Sequence, residues 1–264
     1  MAEAAALPDP GLRAALEVLA GTHRLLVALD FDGVLAPIVE HAADARPLPA
    51  AAAAVTALAG LPGTTTAYIS GRALASLRLV GSPDERTLLI GSHGGEVFTG
   101  PDSAPLALDA GQAAALAAAT GVVERVVAGH PGTVLEAKPA GVVLHTRTAP
   151  DDVAAAATAQ ARALLEQIPG VHLSDGKQVL ETSVISADKG QGLELLRGFT
   201  GADAVLFAGD DVTDENAFRV LRGQDVGIKV GPGETAARHR VQSPEAFAAV
   251  LALLAELRAA AVRR

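Results

Sequence analysis

Asp30 and Asp32 close an unbroken apolar run, Leu25 to Leu29, and Gly33 follows them directly. In an extended chain, residues two apart point the same way, so both carboxylates can face one ligand. Far along the chain a second acidic group, Asp210, Asp211 and Asp214, follows another apolar run, Ala204 to Ala208. Carboxylates that converge repel one another unless a cation sits between them, so a site built from both groups implies a divalent metal. Once that charge is offset, a carboxylate can attack phosphorus and form an acyl phosphate, with Asp30 as the candidate nucleophile. Asp32 could protonate the leaving alkoxide and later deprotonate water. Ser70 offers a hydroxyl and amides to phosphoryl oxygens, and Lys189 offers positive charge to the transition state. The competing readings are ordinary ones: a helix-capping acid followed by a loop acid at Asp30 and Asp32, and a solvated lysine near a helix start at Lys189.

The elements that must position these groups are legible as an alternation. The run Leu25–Leu29 suits a strand buried on both faces at the centre of a parallel sheet. Helices are predicted over Gly11–Ala20 and about Ala50–Leu58, and a strand over Thr64–Ile69 that stops at Ser70-Gly71-Arg72, where a helix is expected to begin. Leu88–Ile90 is a third strand, running into Gly91-Ser-His-Gly-Gly-Glu96, which is too glycine-rich for regular structure. Between about Gly100 and Ser186 the pattern becomes helix, hairpin, helix, hairpin, with Asp175-Gly176 as the second turn, so an α/β insert with an antiparallel sheet is expected. The doubly wound pattern resumes with a helix from Asp188, the strand Ala204–Ala208, a further helix, the strand Asp225–Val230 and a last helix from Pro244 to about Val262. The fold class is therefore α/β, a mostly parallel doubly wound sheet with an inserted smaller domain. Its expected organisation is a core of residues 1–100 and 186–264 and an insert of 101–185. In such a sheet the strand ends line one edge, where ligands bind.

Composition limits the chemistry. Thirty acidic against 21 basic residues give a formal net charge of -9. That argues against a nucleic-acid partner, which demands clustered Lys and Arg, but leaves room for a phosphorylated small molecule. With no Cys in the 264 residues, disulfides and thiolate metal sites are excluded, and oxygen-rich sites favour Mg²⁺ or Mn²⁺. Met1 to Pro10 lacks the basic-then-apolar pattern of a signal peptide, and no uncharged apolar run approaches roughly 20 residues. A soluble, monomeric, cytoplasmic protein with no membrane partner is the expectation.

Asp30-Phe-Asp-Gly-Val-Leu, Ser70-Gly-Arg72, Lys189-Gly190 and Gly209-Asp-Asp-Val-Thr-Asp-Glu215, in that order, resemble the four motifs of the haloacid dehalogenase (HAD) superfamily of phosphatases. The resemblance implies Asp30 as nucleophile, Asp32 as acid/base, and Mg²⁺ held by Asp30, the Asp32 carbonyl and Asp210. It also implies support from Asp214 nearby, phosphate held by Ser70 and Lys189, and an insert that acts as a cap swinging over the core. Asp211 belongs to the same acidic group as a metal-ligand candidate. Just before the insert, Gly91-Ser-His-Gly-Gly-Glu96, and within it Leu135-Glu-Ala-Lys138, Leu144-His-Thr-Arg147 and Gly176-Lys-Gln-Val-Leu-Glu181, are similar to segments of the trehalose 6-phosphate phosphatases, as is Gly231-Pro-Gly-Glu-Thr-Ala236. This implies hydrolysis of trehalose 6-phosphate, with Arg72, His93, Glu96, Glu136, Lys138, His145, Arg147, Lys177 and Glu181 as substrate-binding candidates. Arg72 could instead start a helix, and His93 could serve its own loop. Lys138, Arg147, Lys177 and Glu181 could form a solvated sheet face. His41, His130, His172 and His239 show no partner spacing and read as surface residues.

The chain departs from that family at Val34 for a usual Thr, Ala137 for a usual Asp, Thr146 for a usual Tyr, and Thr182-Ser-Val184 for a segment ending in Arg-Pro. Three of these lie in the insert, so they bear on sugar specificity rather than on phosphoryl transfer. The alternatives are a sister enzyme acting on sucrose phosphate or a glucosylglycerate phosphate, a non-catalytic sugar-phosphate sensor, and transfer of the phosphoryl group to a second sugar.

Overall fold

The computed structural model of the chain describes residues 9–104, 106–176 and 178–263. It divides into two compact units, Met1–Ala104 with Ala187–Arg264, and Pro105–Ser186. In chain order, the first unit begins with α1 (Pro10–Ala20), β1 (Leu25–Leu29), α2 (Pro49–Ala59), β2 (Thr64–Ile69), α3 (Leu74–Gly81), β3 (Leu88–Gly91) and β4 (Glu96–Phe98). The second unit contains α4 (Ala110–Gly129), β5 (Val134–Lys138), β6 (Gly141–His145), α5 (Asp151–Leu165), β7 (His172–Gly176) and β8 (Val179–Ser183). The chain returns to the first unit as α6 (Lys189–Thr200), β9 (Ala204–Gly209), α7 (Asp214–Arg219), β10 (Val226–Val230), β11 (His239–Val241) and α8 (Pro244–Val262).

Among the described residues, seven strands of the first unit form one sheet in the order β11-β10-β9-β1-β2-β3-β4. All its pairings are parallel except β3 with β4. The central strand is β1, whose five residues are all buried. Alternation divides them between two cores. Leu25, Val27 and Leu29 pack with Leu12, Leu16, Val55, Leu58, Phe247 and Leu251 from α1, α2 and α8. Leu26 and Ala28 pack with Leu193, Leu196, Ala217 and Phe218 from α6 and α7. The connections run from β1 to one side through β2 and to the other through β9, which makes the β1/β9 boundary the switch point of the sheet.

The helix starts follow local capping chemistry. The Asp9 side chain accepts the Gly11 and Leu12 amides ahead of Pro10, Asp188 accepts the Gln191 amide, and Ser243 accepts the Ala246 amide ahead of Pro244. Three expectations need correction. The helix after β2 starts at Leu74 rather than at Ser70, because the Arg72 carbonyl accepts the Ser92 N–H and the first helical bond runs from Leu77 N–H to the Ala73 carbonyl. Glu96 is not in a purely irregular loop but opens β4, paired with Gly91 across a tight hairpin. Asp175 and Gly176 are not the turn between the last insert strands; they pair with Leu180 and Val179, and Gln178 takes the left-handed turn position at φ 62.

In the second unit the sheet order is β5-β6-β8-β7, all antiparallel. Val142, Leu144 and Leu180 pack one face against Ala119, Val123 and Val126 of α4 and Ala157, Ala161 and Leu165 of α5. Register puts Glu136, Lys138, His145 and Glu181 on the other face. No helix among the described residues is long and apolar enough to cross a membrane.

Arg258 of α8, 2% exposed, ties the ends of α1 and α2 to β2. Its guanidinium donates to the carbonyls of Ala20, Thr22, His23 and Gly63 and to the Thr64 hydroxyl. Arg258→Met strips these buried acceptors of a donor and should lower unfolding stability by about 3 kcal/mol. Urea denaturation followed by circular dichroism tests this; an unchanged midpoint would show the carbonyls to be served otherwise.

Candidate active site

The ends of β1 and β9 lie side by side, with Leu29 paired to Ala208 and the Asp30 amide donating to the Ala208 carbonyl at 3.0 Å. The Asp30 and Asp210 side chains therefore leave adjacent strands at the same edge. Lys189, the first residue of α6, comes in between Asp30 and Asp214. Its Nζ is 2.9 Å from Asp30 Oδ2 and 2.7 Å from Asp214 Oδ1, and all three side chains are buried. Oxygen atoms of Asp30, Asp210 and Asp214 all lie within 4.8 Å of one another. Gly33, at φ 77, is required here for two reasons: its backbone is left-handed, and a Cβ would stand 2.0 Å from Asp210 Oδ2.

Asp214 has both oxygens engaged. While Oδ1 accepts from Lys189, Oδ2 accepts the amides of Asp210 and Asp211, each at 2.9 Å. Asp30 is engaged at both oxygens too, Oδ1 accepting the Phe31 amide at 2.7 Å and Oδ2 meeting Lys189, but it serves one amide where Asp214 serves two. Asp211 is exposed, accepts the Val212 amide, and does not share the cluster. Asp32 does not share it through its carboxylate either, because Arg72 takes both oxygens in a two-pronged pair at 2.6 and 2.7 Å. Arg72 also lies 5.5 Å from the Phe31 ring centroid.

Burial first, and charge excess second, set the proton affinities. Burial, then the Asp214 charge, pushes Asp30 well above the usual carboxylate range, and Lys189 opposes the shift without cancelling it. Asp210 is pushed up to about 7, by burial first and by Asp214 second. Burial alone would lower Lys189, yet Asp214 and Asp30 together hold it above its ordinary value, so it stays charged. Four buried or half-buried carboxylates, Asp30, Asp210, Asp214 and Glu215, meet two lysines, Lys189 and Lys229. The two negative charges left over equal the charge of one divalent cation, and all the donors are hard oxygens, so the residues fit Mg²⁺.

Ser70 sits buried at the end of β2. Its N–H is used by the Ile90 carbonyl at 2.9 Å, so only the hydroxyl of this residue, which accepts the Arg72 amide at 3.2 Å, is placed to offer a contact. His93, at φ 56, lies against Gly71, where a Cβ would be 2.4 Å from its ring, and its N–H donates to the Ser70 carbonyl. Glu96 serves the loop: one oxygen accepts from the Ser92 hydroxyl at 2.7 Å and the Leu74 amide at 3.2 Å.

In the second unit, His145 Nε2 is 2.8 Å from Glu136 Oε2, and this bond, more than any other contact, holds the Glu136 carboxyl below its usual range. Lys138 Nζ is 3.4 Å from Glu181 Oε1. Arg147 is exposed just beyond β6. Lys177 lies outside the described residues. Lys229 and Glu215 were not singled out from the sequence as functional; a lone lysine in an otherwise apolar strand was the available signal.

The sequence profile of the trehalose-phosphatase family matches residues 28–246. A trehalose-phosphate phosphatase of Mycobacterium avium is 36% identical over 266 aligned residues; the match covers 96% of this chain and 65% of that protein. The chain thus spans about two thirds of that relative's length, short of its whole. The C-terminal domain of the C. albicans trehalose-6-phosphate phosphatase has a TM-score of 0.81 at 22% identity, covering 96% of this chain and 99% of that one. A HAD subclass IIB sugar phosphatase has a TM-score of 0.55 at 13% identity, covering 83% and 94%. These two likenesses show a shared HAD fold.

An acid raised in the folded state binds its proton more tightly there than when unfolded. Stability of the metal-free protein should therefore fall as pH rises from the unfolded carboxylate value toward about 7. The fall should be on the order of a few kcal/mol, shrink in Asp210→Asn, and be reversed by Mg²⁺. Thermal melting from pH 4.5 to 8 with chelator or with Mg²⁺ measures it; a flat chelator profile would contradict the charge count.

Proposed function

The chain belongs to the trehalose-phosphatase family, and from that premise we propose that it is a phosphomonoesterase that releases phosphate from trehalose 6-phosphate. The observation that carries this reading is the buried lysine, Lys189, bridging Asp30 and Asp214 beside Asp210 at the carboxyl edge of the sheet. Asp30, Asp210 and the Asp32 carbonyl would hold Mg²⁺, with Asp214 holding the loop beneath and Asp211 outside. Bound there, the ion offsets carboxylate charge and polarises a phosphoryl oxygen.

The residues divide the work as follows. An Asp30 oxygen bonds to phosphorus as the P–O ester bond breaks, and the electron pair leaves with the sugar oxygen, which takes a proton from Asp32. Asp32 then removes a proton from water, whose oxygen attacks phosphorus and frees Asp30. Lys189 keeps a positive charge beside the reacting carboxylate, and the Ser70 hydroxyl donates to a phosphoryl oxygen. While Arg72 grips both Asp32 oxygens, neither is free to meet the leaving sugar oxygen. A phosphoester that takes over a nitrogen of Arg72 would free Asp32, so substrate binding itself would arm the acid. His93, packed on Gly71, keeps that turn in shape, and Glu96 fixes the loop that carries His93.

The first unit is read as the catalytic core and the second as the cap. Glu136, Lys138, His145 and Glu181, gathered on one sheet face, together with Arg147 and Lys177, would take the sugar hydroxyls. Hydroxyl-rich ligands suit such alternating donors and acceptors.

Phosphate release should be fastest with trehalose 6-phosphate in a panel that includes sucrose 6-phosphate and glucose 6-phosphate. It should need Mg²⁺ and drop by a thousandfold or more, in order of magnitude, in Asp30→Asn. Equal turnover across the panel would remove the substrate assignment; release by Asp30→Asn at the wild-type rate would remove the nucleophile.

A further inference from the structure

Lys229 is the one charged residue of β10, whose other members are Val226, Gly227, Ile228 and Val230. Its register partner is Gly209, the last residue of β9, so it stands where the chain leaves the sheet for Asp210. The side chain is almost fully buried, and burying an ammonium group is costly unless something receives its protons. The receivers here are backbone carbonyls. Nζ donates to the Asp210 carbonyl at 2.8 Å and lies 3.5 Å from that of Asp211. Glu215 supplies the counter-charge, with Oε1 at 3.6 Å, while its Oε2 accepts the Ala236 N–H at 2.8 Å. Ala236 ends the segment Gly231-Pro-Gly-Glu-Thr-Ala236, for which the reaction scheme has no other use.

The Asp210–Asp211 backbone is therefore gripped from two sides. Its amides point at the Asp214 carboxylate and its carbonyls at the Lys229 ammonium. Charged groups at both ends of the peptide dipoles make stronger bonds than neutral ones, and together they leave the segment one orientation. The Asp210 side chain inherits that orientation, and Gly33 allows it close approach on the other side. We propose that Lys229 is a positioning residue: with Glu215 and the 231–236 segment it sets the Asp210 carboxylate where a divalent cation binds, and it does not touch substrate. This rests on the Mg²⁺ phosphatase reading above.

Position and charge make opposite predictions. Removing Lys229 adds net negative charge to the cluster, which by Coulomb attraction alone would tighten cation binding. If Lys229 acts by position, the misplaced ligand outweighs that gain, and lost outer contacts typically weaken metal binding about 10- to 100-fold. Mn²⁺ binding without substrate, followed by electron paramagnetic resonance of the free ion, separates the two in Lys229→Met. Should that variant fail to fold by circular dichroism, Lys229→Gln removes the same charge and keeps a polar side chain. The expected result is Mn²⁺ binding at least about tenfold weaker, with the metal needed for half-maximal phosphate release rising while KM at saturating Mg²⁺ stays within about twofold. Folded variants that bind Mn²⁺ as tightly as wild type, or more tightly, overturn the positioning role. A wild type that binds no Mn²⁺ overturns the Mg²⁺ reading along with it, whereas a wild type that binds Mn²⁺ but releases no phosphate overturns only the phosphatase reading.

Discussion

The buried ammonium of Lys189 is the interaction on which this structure depends. Asp30 and Asp214 could not be brought together at the end of a fully buried strand without a cation between them, since each would be desolvated and repelled by the other. Much of the local backbone serves to deliver that one group. To place Lys189 at the β1/β9 boundary, α6 must approach α7 so closely that a Cβ on Gly190 would stand 2.6 Å from the Asn216 carbonyl. Gly209 does the same for Asp214, whose Cγ would be 2.3 Å from an added Cβ. Small residues flank the charged ones because the charges must be packed against backbone, where amides and carbonyls complete their hydrogen bonds.

Asp214 shows how one side chain can fix the shape of the loop around it. Its carboxylate is shared between an ammonium on one oxygen and two peptide N–H groups on the other. It therefore converts the charge of Lys189 into a fixed shape for the Asp210 loop. Lys229 closes the same loop from the carbonyl side, so a turn at the edge of the sheet is held as firmly as the strands that bring it there.

The sequence was most readable where structure is local. Five apolar residues ahead of Asp30, and five from Ala204 to Ala208 ahead of the Gly209-Asp210 turn, announced buried parallel strands with acids at their ends, and the last helix was legible from Pro244 to about Val262. The α/β class and the second, antiparallel sheet followed from the same patterns. Three-residue strands such as β4 and β11 are too short to show a period, and they exist because a neighbouring strand offers unpaired groups. Pairings between distant residues were equally hidden. Nothing in the spacing tells that Arg72, 40 positions from Asp32, takes both of its oxygens. Nor could spacing rank Asp211 against Asp214, which sit in one motif but face opposite ways, one toward its own loop and one into the cluster.

The second sheet places the family departures in a physical frame. Ala137 pairs with Val142, Val142 with Thr182, and Thr182 with Leu173, so two departures fall in a single row. That row alternates with the one containing Glu136, Val143, Glu181 and Ser174 and therefore belongs to the opposite face, the one that packs on α4 and α5. Thr146 is likewise turned inward, its hydroxyl and amide both donating to the Gln178 carbonyl and so holding the turn between β7 and β8. Thr182 and Thr146 thus alter packing and a turn, whereas Ala137 stands exposed on the edge strand and Ser183, aligned with Gly141 and Lys138, lies in a row of the polar face. Under the proposed function, sugar selectivity would depend on how firmly the row behind supports Glu136, Lys138, His145 and Glu181, since a carboxylate or imidazole can discriminate among hydroxyl patterns only when its own orientation is fixed. The His145–Glu136 bond supplies part of that fixation within the face, which makes the polar residues their own scaffold where the row behind them is built from small side chains.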